Sequence, residues 1–332
     1  MPETTEPSSS SLPYAGFTPD VILHALETCG FEPTGGLFEL NSYENRVYQV
    51  ELEDGSFVVT KFYRPQRWTT EQIEEEHAFT AELAEQELPV VTPLCRDGKS
   101  LFEFEGFRYA VYPRQGGRPP NLEIEENIKV LARTLARIHA VGSIKPFSHR
   151  PIYTVERMGV DSRTFLLEAN FLPIEMEEAY ASTTEHLLER LVPAMDGIST
   201  SGRIHGDCHL GNLLWRDEVP HFVDFDDCVN GPPIQDLWML LSGEREEQQK
   251  QLGTILDAYE QFYEFDATSI RLIEPLRTLR IMYHAAWLAR RWDDPAFPRA
   301  FPWFNTQKYW GEHVLNLREQ MAALDEPPLV IG

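Results

Sequence analysis

The segment His205-Gly206-Asp207-Cys208-His209-Leu210-Gly211-Asn212, followed by Val223-Asp224-Phe225-Asp226-Asp227, constrains this chain more than any other stretch. It places an Asp, an Asn five positions on, and a second Asp after a short hairpin. Phosphoryl transfer from MgATP needs such a set: a carboxylate to orient and deprotonate an acceptor hydroxyl, and an amide and a carboxylate to hold the metal. An isolated His-Gly-Asp is more often a polar turn, but the order and spacing of Asp207, Asn212 and Asp224 speak against coincidence. Asp207 is expected as the base, Asp224 as its catalytic companion, and Asn212 with Asp224 as the oxygen ligands of Mg²⁺.

At 332 residues the chain has room for one large domain or two lobes, each with its own core. With 42% hydrophobic and 25% charged residues it has the composition of an ordinary globular protein. The net charge of -24 argues against a nucleic-acid partner, since phosphate backbones require a basic surface. It leaves room for a cationic small molecule or a basic protein segment as acceptor, although a solvated acidic surface explains most of the charge. Cys29, Cys95, Cys208 and Cys228 are scattered without a C-x-x-C pair, which fits a reducing compartment. Residues 1–15 read as a disordered Pro-, Ser- and Thr-rich tail rather than a signal peptide. No apolar stretch approaches membrane-spanning length. The expectation is a cytoplasmic monomer with no membrane and no nucleic-acid partner.

Apolar periodicity predicts a helix over 18–30, and a β-hairpin over 46–63 with Glu53-Asp54-Gly55-Ser56 as its turn. Thr69 and Gln72 form a capping-box pattern, and Trp68 with Ile73 a hydrophobic staple, so the next helix starts there and ends before Pro89. Strand-like runs follow at 100–104 and 107–112. Pro113 to Pro120 then breaks the pattern as a linker would. Helices are predicted at 124–140, 177–191, 235–241, 244–263 and 269–292, interrupted by short strands at 212–215 and 221–225. Strands with one helix, then a helical half, make an α+β chain of two lobes, a β-rich N-lobe at 16–111 and a helical C-lobe at 112–328.

Lys61, near the end of the second hairpin strand, lies where it would reach the α- and β-phosphates. Its expected partner is Glu76, which shares the apolar face of the following helix with Ile73, Phe79, Thr80 and Leu83, whereas Glu74 and Glu75 project from polar faces. The stretch from Leu40 to Val47 carries no G-x-G-x-x-G, and the chain has no G-x-x-x-x-G-K-[ST], which removes the P-loop alternative. Ser42 would cap a phosphate oxygen and Arg46 would add charge, with an ordinary polar turn as the competing reading. Tyr112 falls in the segment 109–113 expected to hold the adenine. Asp226 and Asp227 either add a supporting or second-metal contact or, as is commoner for such extra acids, are simply solvated, and Asp236 reads as a brace for the catalytic loop. Cys208 reads as inert among carboxylates. Arg277, Arg280, His284 and Arg291 form a basic stripe at helical spacing. It either faces the cleft to hold an acidic acceptor or, the better reading, pairs with neighbouring acids.

H-G-D-x-H-x-x-N with a following V-D-x-D resembles the aminoglycoside phosphotransferase and choline kinase superfamily, whose bilobal fold is similar to that of protein kinases. Within it the chain is similar to bacterial Ser/Thr protein kinases of the stress response. The likeness runs through N-S-Y-E-N-R-V-Y-Q at 41–49, K-F-Y-R-P at 61–65, N-G-P-P-I-Q-D-L-W-M-L-L at 230–241, E-P-L-R at 274–277 and R-R-W-D-D-P-A-F-P at 290–298. The resemblance implies a Mg²⁺- and ATP-dependent kinase acting on Ser or Thr of a protein substrate, able to autophosphorylate, and acting in survival of envelope or toxin-mediated stress. It puts the proton acceptor on Asp207, the metal ligands on Asn212 and Asp224, and an ATP-proximal serine on Ser42. A kinase of small alcohols resembling choline, homoserine or an aminoglycoside has the same motifs and is the first rival. A pseudokinase scaffold is the second, and the intact Lys61, Asp207, Asn212 and Asp224 argue against it.

Overall fold

Ser56 donates its N–H to Asp54 Oδ1 at 2.8 Å and Gly55 takes a φ of 79°, and these close the turn that the sequence marks. In the computed structural model, which describes residues 12–200 and 202–331, this turn joins β2 (Arg46–Leu52) to β3 (Phe57–Phe62). With β1 (Pro33–Glu39), β4 (Phe102–Phe104) and β5 (Phe107–Pro113) they form an antiparallel sheet in the order β1-β2-β3-β5-β4. Lys61 sits on the central strand, opposite Val47 and Ala110. The helix α1 (Pro19–Thr28) buries Val21, Ile22, Ala25 and Leu26 in the core that Val50, Phe62, Tyr109 and Val111 build from the sheet.

The next helix, α2 (Thr70–Glu85), starts on the expected capping box. Thr69 Oγ1 accepts from the Gln72 N–H at 3.3 Å, and the Thr69 N–H donates to Gln72 Oε1 at 2.9 Å. Such a cap contributes about 1 kcal/mol. Trp68 and Ile73 share one buried cluster as the staple requires. Further along, Phe79 and Leu83 enter the core of the second lobe, so α2 belongs mechanically to both halves.

That second lobe is helical. It contains α3 (Glu125–Gly142), α4 (Asp161–Glu168), α5 (Ile174–Ala194), α6 (Ile234–Trp238), α7 (Arg245–Tyr259), α8 (Ile273–Ala289), α9 (Ala296–Ala300) and α10 (Gln307–Asp325). A single π-helical turn, Glu156–Val160, leads into α4. Two small antiparallel ladders interrupt the helices: β6 (Arg203–Ile204) with β9 (Val229–Asn230), and β7 (Leu213–Arg216) with β8 (Val219–Phe222). Phe222 donates to Pro89 O at 2.8 Å and accepts from Val91 at 3.0 Å, which fixes the chain between the lobes. The bilobal α+β architecture is the expected one.

Several elements differ from expectation. Thr34-Gly35-Gly36 carries no strand signal, yet β1 forms as an edge held by its pairing with β2 across a register shift. In α10 the buried residues are spread over Trp310, His313, Val314 and Leu317, too sparse a stripe to mark a helix by eye. The strand expected to reach Phe225 ends at Phe222, because Asp224 turns left-handed at φ 58° and ψ 61°. Residues 1–11 of the expected tail lie outside the described residues. Tyr14, also expected in that tail, stacks on Phe107 and donates to the carbonyls of Glu44 and Phe62, so packing begins before residue 16. Among the described residues, no helix is long and apolar enough to cross a membrane.

Candidate functional site

Asp236, fully buried in α6, positions the loop that carries Asp207. It accepts the N–H groups of His205 and Gly206, each at 2.8 Å, and its Oδ2 meets His139 Nε2 at 3.0 Å. Charge-assisted bonds of this kind are the strong ones and leave the loop little freedom. His205 Nε2 lies 2.9 Å from Val223 O, which ties the loop to the residue before Asp224. Gly206 is required here: its φ is 81°, and a Cβ would collide with the carbonyl oxygen of Asp227. That contact explains why this loop reads His-Gly-Asp.

At the end of this brace Asp207 faces a cavity of about 580 Å³ between the lobes. Arg280 of α8 places Nη1 2.6 Å from Asp207 Oδ1, but off the hydrogen-bonding axis, so this buried oxygen has no aligned donor. His209 Nε2 stands 3.5 Å from Oδ2. Asn212 gives its side-chain N–H to the backbone carbonyl of Asp207 at 3.0 Å, which turns its amide oxygen to the cleft as the end left for a cation. Among the described residues no three His, Cys, Asp or Glu side chains gather into a metal cage. The two hard oxygen donors Asn212 and Asp224 are the kind of set Mg²⁺ takes when phosphates and water complete its shell.

Lys61 lies among three carboxylates: Asp224 at 3.0 Å, Asp226 at 3.1 Å and Glu76 at 3.5 Å. Burial would discharge the amine, but Asp224, Asp226 and Glu76 outweigh it and hold the ammonium charged. Glu76 is thus the partner chosen on helix geometry, though not the nearest. Burial pushes its carboxyl up to about 7 against the pull of Lys61. Glu75 instead caps the loop at 148–150, accepting three backbone N–H groups at 2.7–2.8 Å.

The solvated reading of Asp226 fails. Its side chain is only 3% exposed and is bound by Lys61, Arg67 and Asn45 Nδ2, the last at 3.1 Å. Burial would raise its carboxyl, yet Arg67 and then Lys61 and Arg150 hold it well below the usual carboxylate range. Arg67 also reaches Asp227 at 2.6 Å. Asp224, two residues earlier, keeps 51% of its side chain exposed.

Ser42, Lys61, Glu76, Tyr112, Asn212 and Asp224 line a second cavity, of about 300 Å³, beneath the sheet. Tyr112 is half-buried there with its hydroxyl 3.0 Å from that of Tyr63. Asn212, Asp224 and Ser42 line both cavities, so the two meet at these residues. Arg46 lies outside them. It is turned to Asp294 at 3.0 Å, with its guanidinium over the Tyr14 ring, because a buried carboxylate at the lobe interface holds it more firmly than an open loop could. Its expected place beside the nucleotide is corrected accordingly.

Comparison with known proteins adds to this geometry. Residues 39–273 match the family described as phosphotransferase enzymes. The chain is 44% identical over 322 residues to stress response kinase A of Escherichia coli (strain K12), covering 97% of this chain and 98% of that protein. The chain belongs to the phosphotransferase enzyme family. It is also 45% identical over 311 residues to the serine/threonine protein kinase RdoA of Salmonella typhimurium, covering 94% of each. Among solved structures, an amicoumacin kinase in complex with AMP-PNP, Ca²⁺ and Ami superposes with a TM-score of 0.71 at 18% identity, over 94% of this chain and 95% of that one. An aminopropanol kinase associated with microcompartments gives 0.68 at 18%, over 92% and 97%. At such identities these two structures establish the phosphotransferase fold.

Within this phosphotransferase, sequence reading missed the clamp between the lobes. Arg64 meets Asp294 at 2.8 Å, Trp287 donates to Glu44 at 2.6 Å, and Arg291 pairs with Glu44. The available signal was Lys61, Arg64 and Arg67 spaced three apart in a run that also holds Phe62, Tyr63 and Trp68, since buried cations demand buried acids. Of the basic stripe, Arg280 and His284 do face the cleft, while Arg277 pairs with Glu274 at 2.7 Å. Cys208 is buried, and burial pushes its thiol well above the ordinary range, in line with the inert reading.

Proposed function

We propose that the protein transfers the γ-phosphoryl group of ATP to a Ser or Thr hydroxyl of a protein substrate, using Mg²⁺. The observation that carries this reading is the pair of adjoining cavities, with Lys61 in one, Asp207 in the other, and Asn212 and Asp224 between them. In it the lobe at 16–111 covers the nucleotide and the lobe at 112–328 holds the acceptor. Lys61 positions the α- and β-phosphates, Glu76 supports it, and Ser42 and Tyr112 border the nucleotide. The buried, unaligned oxygen of Asp207 accepts the acceptor hydroxyl, orients it for in-line attack and takes its proton as the new bond forms. Asn212 and Asp224 would hold Mg²⁺, which when bound neutralises phosphate charge. Because the transition state is loose, positioning and charge stabilisation do most of the work.

A protein acceptor is supported by the likeness to a relative named a serine/threonine protein kinase, which covers 94% of this chain. It is also supported by a groove of about 590 Å³ that adjoins the acceptor cavity across Arg280 and His284 and is walled by Trp238, Trp303 and Tyr309. The relatives' name carries over a stress-response role; autophosphorylation is what the family resemblance implies, and a cytoplasmic monomer is the reading of scattered cysteines and of a sequence without a coiled-coil heptad. A kinase of small alcohols is the second reading, and the small-molecule size of the half-open cavity beside Asp207 favours it. Incubation of purified protein with labelled ATP decides between them. Label on added protein or on the chain itself is the expected result; label confined to a panel of small alcohols overturns it.

A further inference from the structure

Asp207 is paired with Arg280, and the other carboxylates lining the acceptor cavity, Glu44, Asp224, Asp226 and Asp227, each have a cation described above. Arg157 differs. It lines the same cavity, yet among the described residues no carboxylate stands within ion-pair distance of its guanidinium, which acts on Asp227 only from further off. It lies 5.6 Å from the ring centroid of Tyr283, one helical turn from Arg280, and otherwise reaches only Met158 Sδ at 3.9 Å. Its backbone belongs to the π-helical turn 156–160, a widened geometry that recurs at functional sites. Tyr153, whose hydroxyl burial raises while Arg280 and Arg157 both pull it down, lines the same cavity as the two arginines.

We propose that Arg157 and Arg280 form an anion subsite beside Asp207, so that favoured acceptors carry a carboxylate or phosphate next to the reacting hydroxyl. The proposal rests on the protein-kinase reading above and names its substrate class. Arg280 is held by Asp207 at 2.6 Å, off the hydrogen-bonding axis, and so retains donors for a second anion; Arg157 gives one N–H to Met158 Sδ and keeps the others. Cationic acceptors of the choline type are disfavoured by the same charges.

The test uses the full chain and four peptides with one Ser acceptor, flanked by Glu, phosphoserine, Gln or Lys. Wild type is expected to favour the Glu or phosphoserine peptide over the Gln peptide by about tenfold in kcat/KM, the scale of one charge-assisted hydrogen bond. In Arg157→Ala that ratio falls to near one, in Arg157→Glu it inverts, and Arg157→Lys restores part of it. Glu and phosphoserine arms separate carboxylate from phosphate as the preferred anion. A ratio near one in wild type, or an equal fall for all four peptides in Arg157→Ala, overturns the proposal in favour of a packing role on Tyr283. Binding of free phosphoserine, followed by calorimetry, is read without turnover and is expected to vanish in Arg157→Glu. If no peptide is labelled while that binding persists, the protein-kinase reading fails and the subsite stands. If wild type and Arg157→Glu bind phosphoserine alike, or neither binds, the subsite fails.

Discussion

On the floor of the cleft, Asp207 and Asp224 keep 22% and 51% of their side chains exposed. In the clamp between the lobes, Glu44, Asp226 and Asp294 are buried, and each faces at least two cations. Both regions draw on Asp, Glu and Arg, and Asp224 and Asp226 come from one five-residue motif. What separates them is the number of cations aimed at each carboxylate. Acids buried among two or more cations hold the lobes in register, whereas the more exposed acids of the floor are left open to a proton or a metal. The comparison breaks most directly at Asp207. Asp207→Ala is expected to lower phosphoryl transfer by at least about 10²-fold, the lower end for a lost general base, with nucleotide affinity roughly intact. Steady-state kinetics beside a nucleotide titration checks both halves, and turnover within tenfold of wild type would refute the assignment.

A paired comparison of Asp226→Ala and Asp224→Ala comes next in size. Removing Asp226 leaves Arg67 and Lys61 buried with a lost partner, a change that costs about 3–5 kcal/mol. Removing the half-exposed Asp224 is expected to cost far less stability while abolishing transfer. Urea unfolding of the two variants measures the difference. Equal destabilisation would erase the distinction drawn between floor and clamp.

The site residues were legible because they lie in short, ordered motifs whose chemistry is local: Asp207, Asn212 and Asp224 in sequence, and Glu76 by its place on an apolar helix face. The clamp was not legible, because its pairs join positions far apart, such as Arg64 with Asp294 and Asn45 with Asp226, and nothing in either stretch alone specifies the match. Arg46 illustrates the cost of local reading: a cation beside the nucleotide loop suggested phosphate contact, but a distant acid captured it. In the fold, the hairpin and α2 followed from turn and cap residues, while β1 and α10 depend on partners that the pattern does not announce.

A smaller effect separates charged from uncharged partners within the same region. His77, on α2 one residue from Glu76, sits between the Tyr63 hydroxyl and Ser100 Oγ, each at 2.8 Å. Burial, then Lys61 and Arg150, push its imidazole down to about 3 from an ordinary value of 6.5. The neutral ring is therefore favoured in the folded state. Its contribution is present in full above pH 6.5 and is lost as pH falls toward about 3. Glu76 runs the other way, losing stability as pH rises from 4.5 toward about 7. The two slopes oppose each other where they overlap, so wild type alone is a poor probe. His77→Gln isolates the histidine: the stability gap between the two proteins should narrow steadily on acidification below pH 6.5. A gap independent of pH would mean that the ring contributes by shape alone.

The smallest expected effect lies on the outer surface. Arg190 of α5 meets Asp325 at the end of α10 at 3.0 Å, close to the distances found inside the clamp, but with 40% and 67% of their side chains exposed. Water screens this pair, and holding two long side chains in one geometry opposes the gain, so its coupling should stay under about 1 kcal/mol. A double-mutant cycle with Arg190→Ala and Asp325→Ala measures that coupling free of each residue's other contacts, which matters because Arg190 also donates to Met321 O at 2.8 Å. The same cycle on Arg64 and Asp294, buried and 2.8 Å apart, should give a value several times larger, although both pairs look alike by distance. A surface coupling as large as the buried one would show that proximity, and not the exclusion of water around the clamp, sets the strength of these contacts.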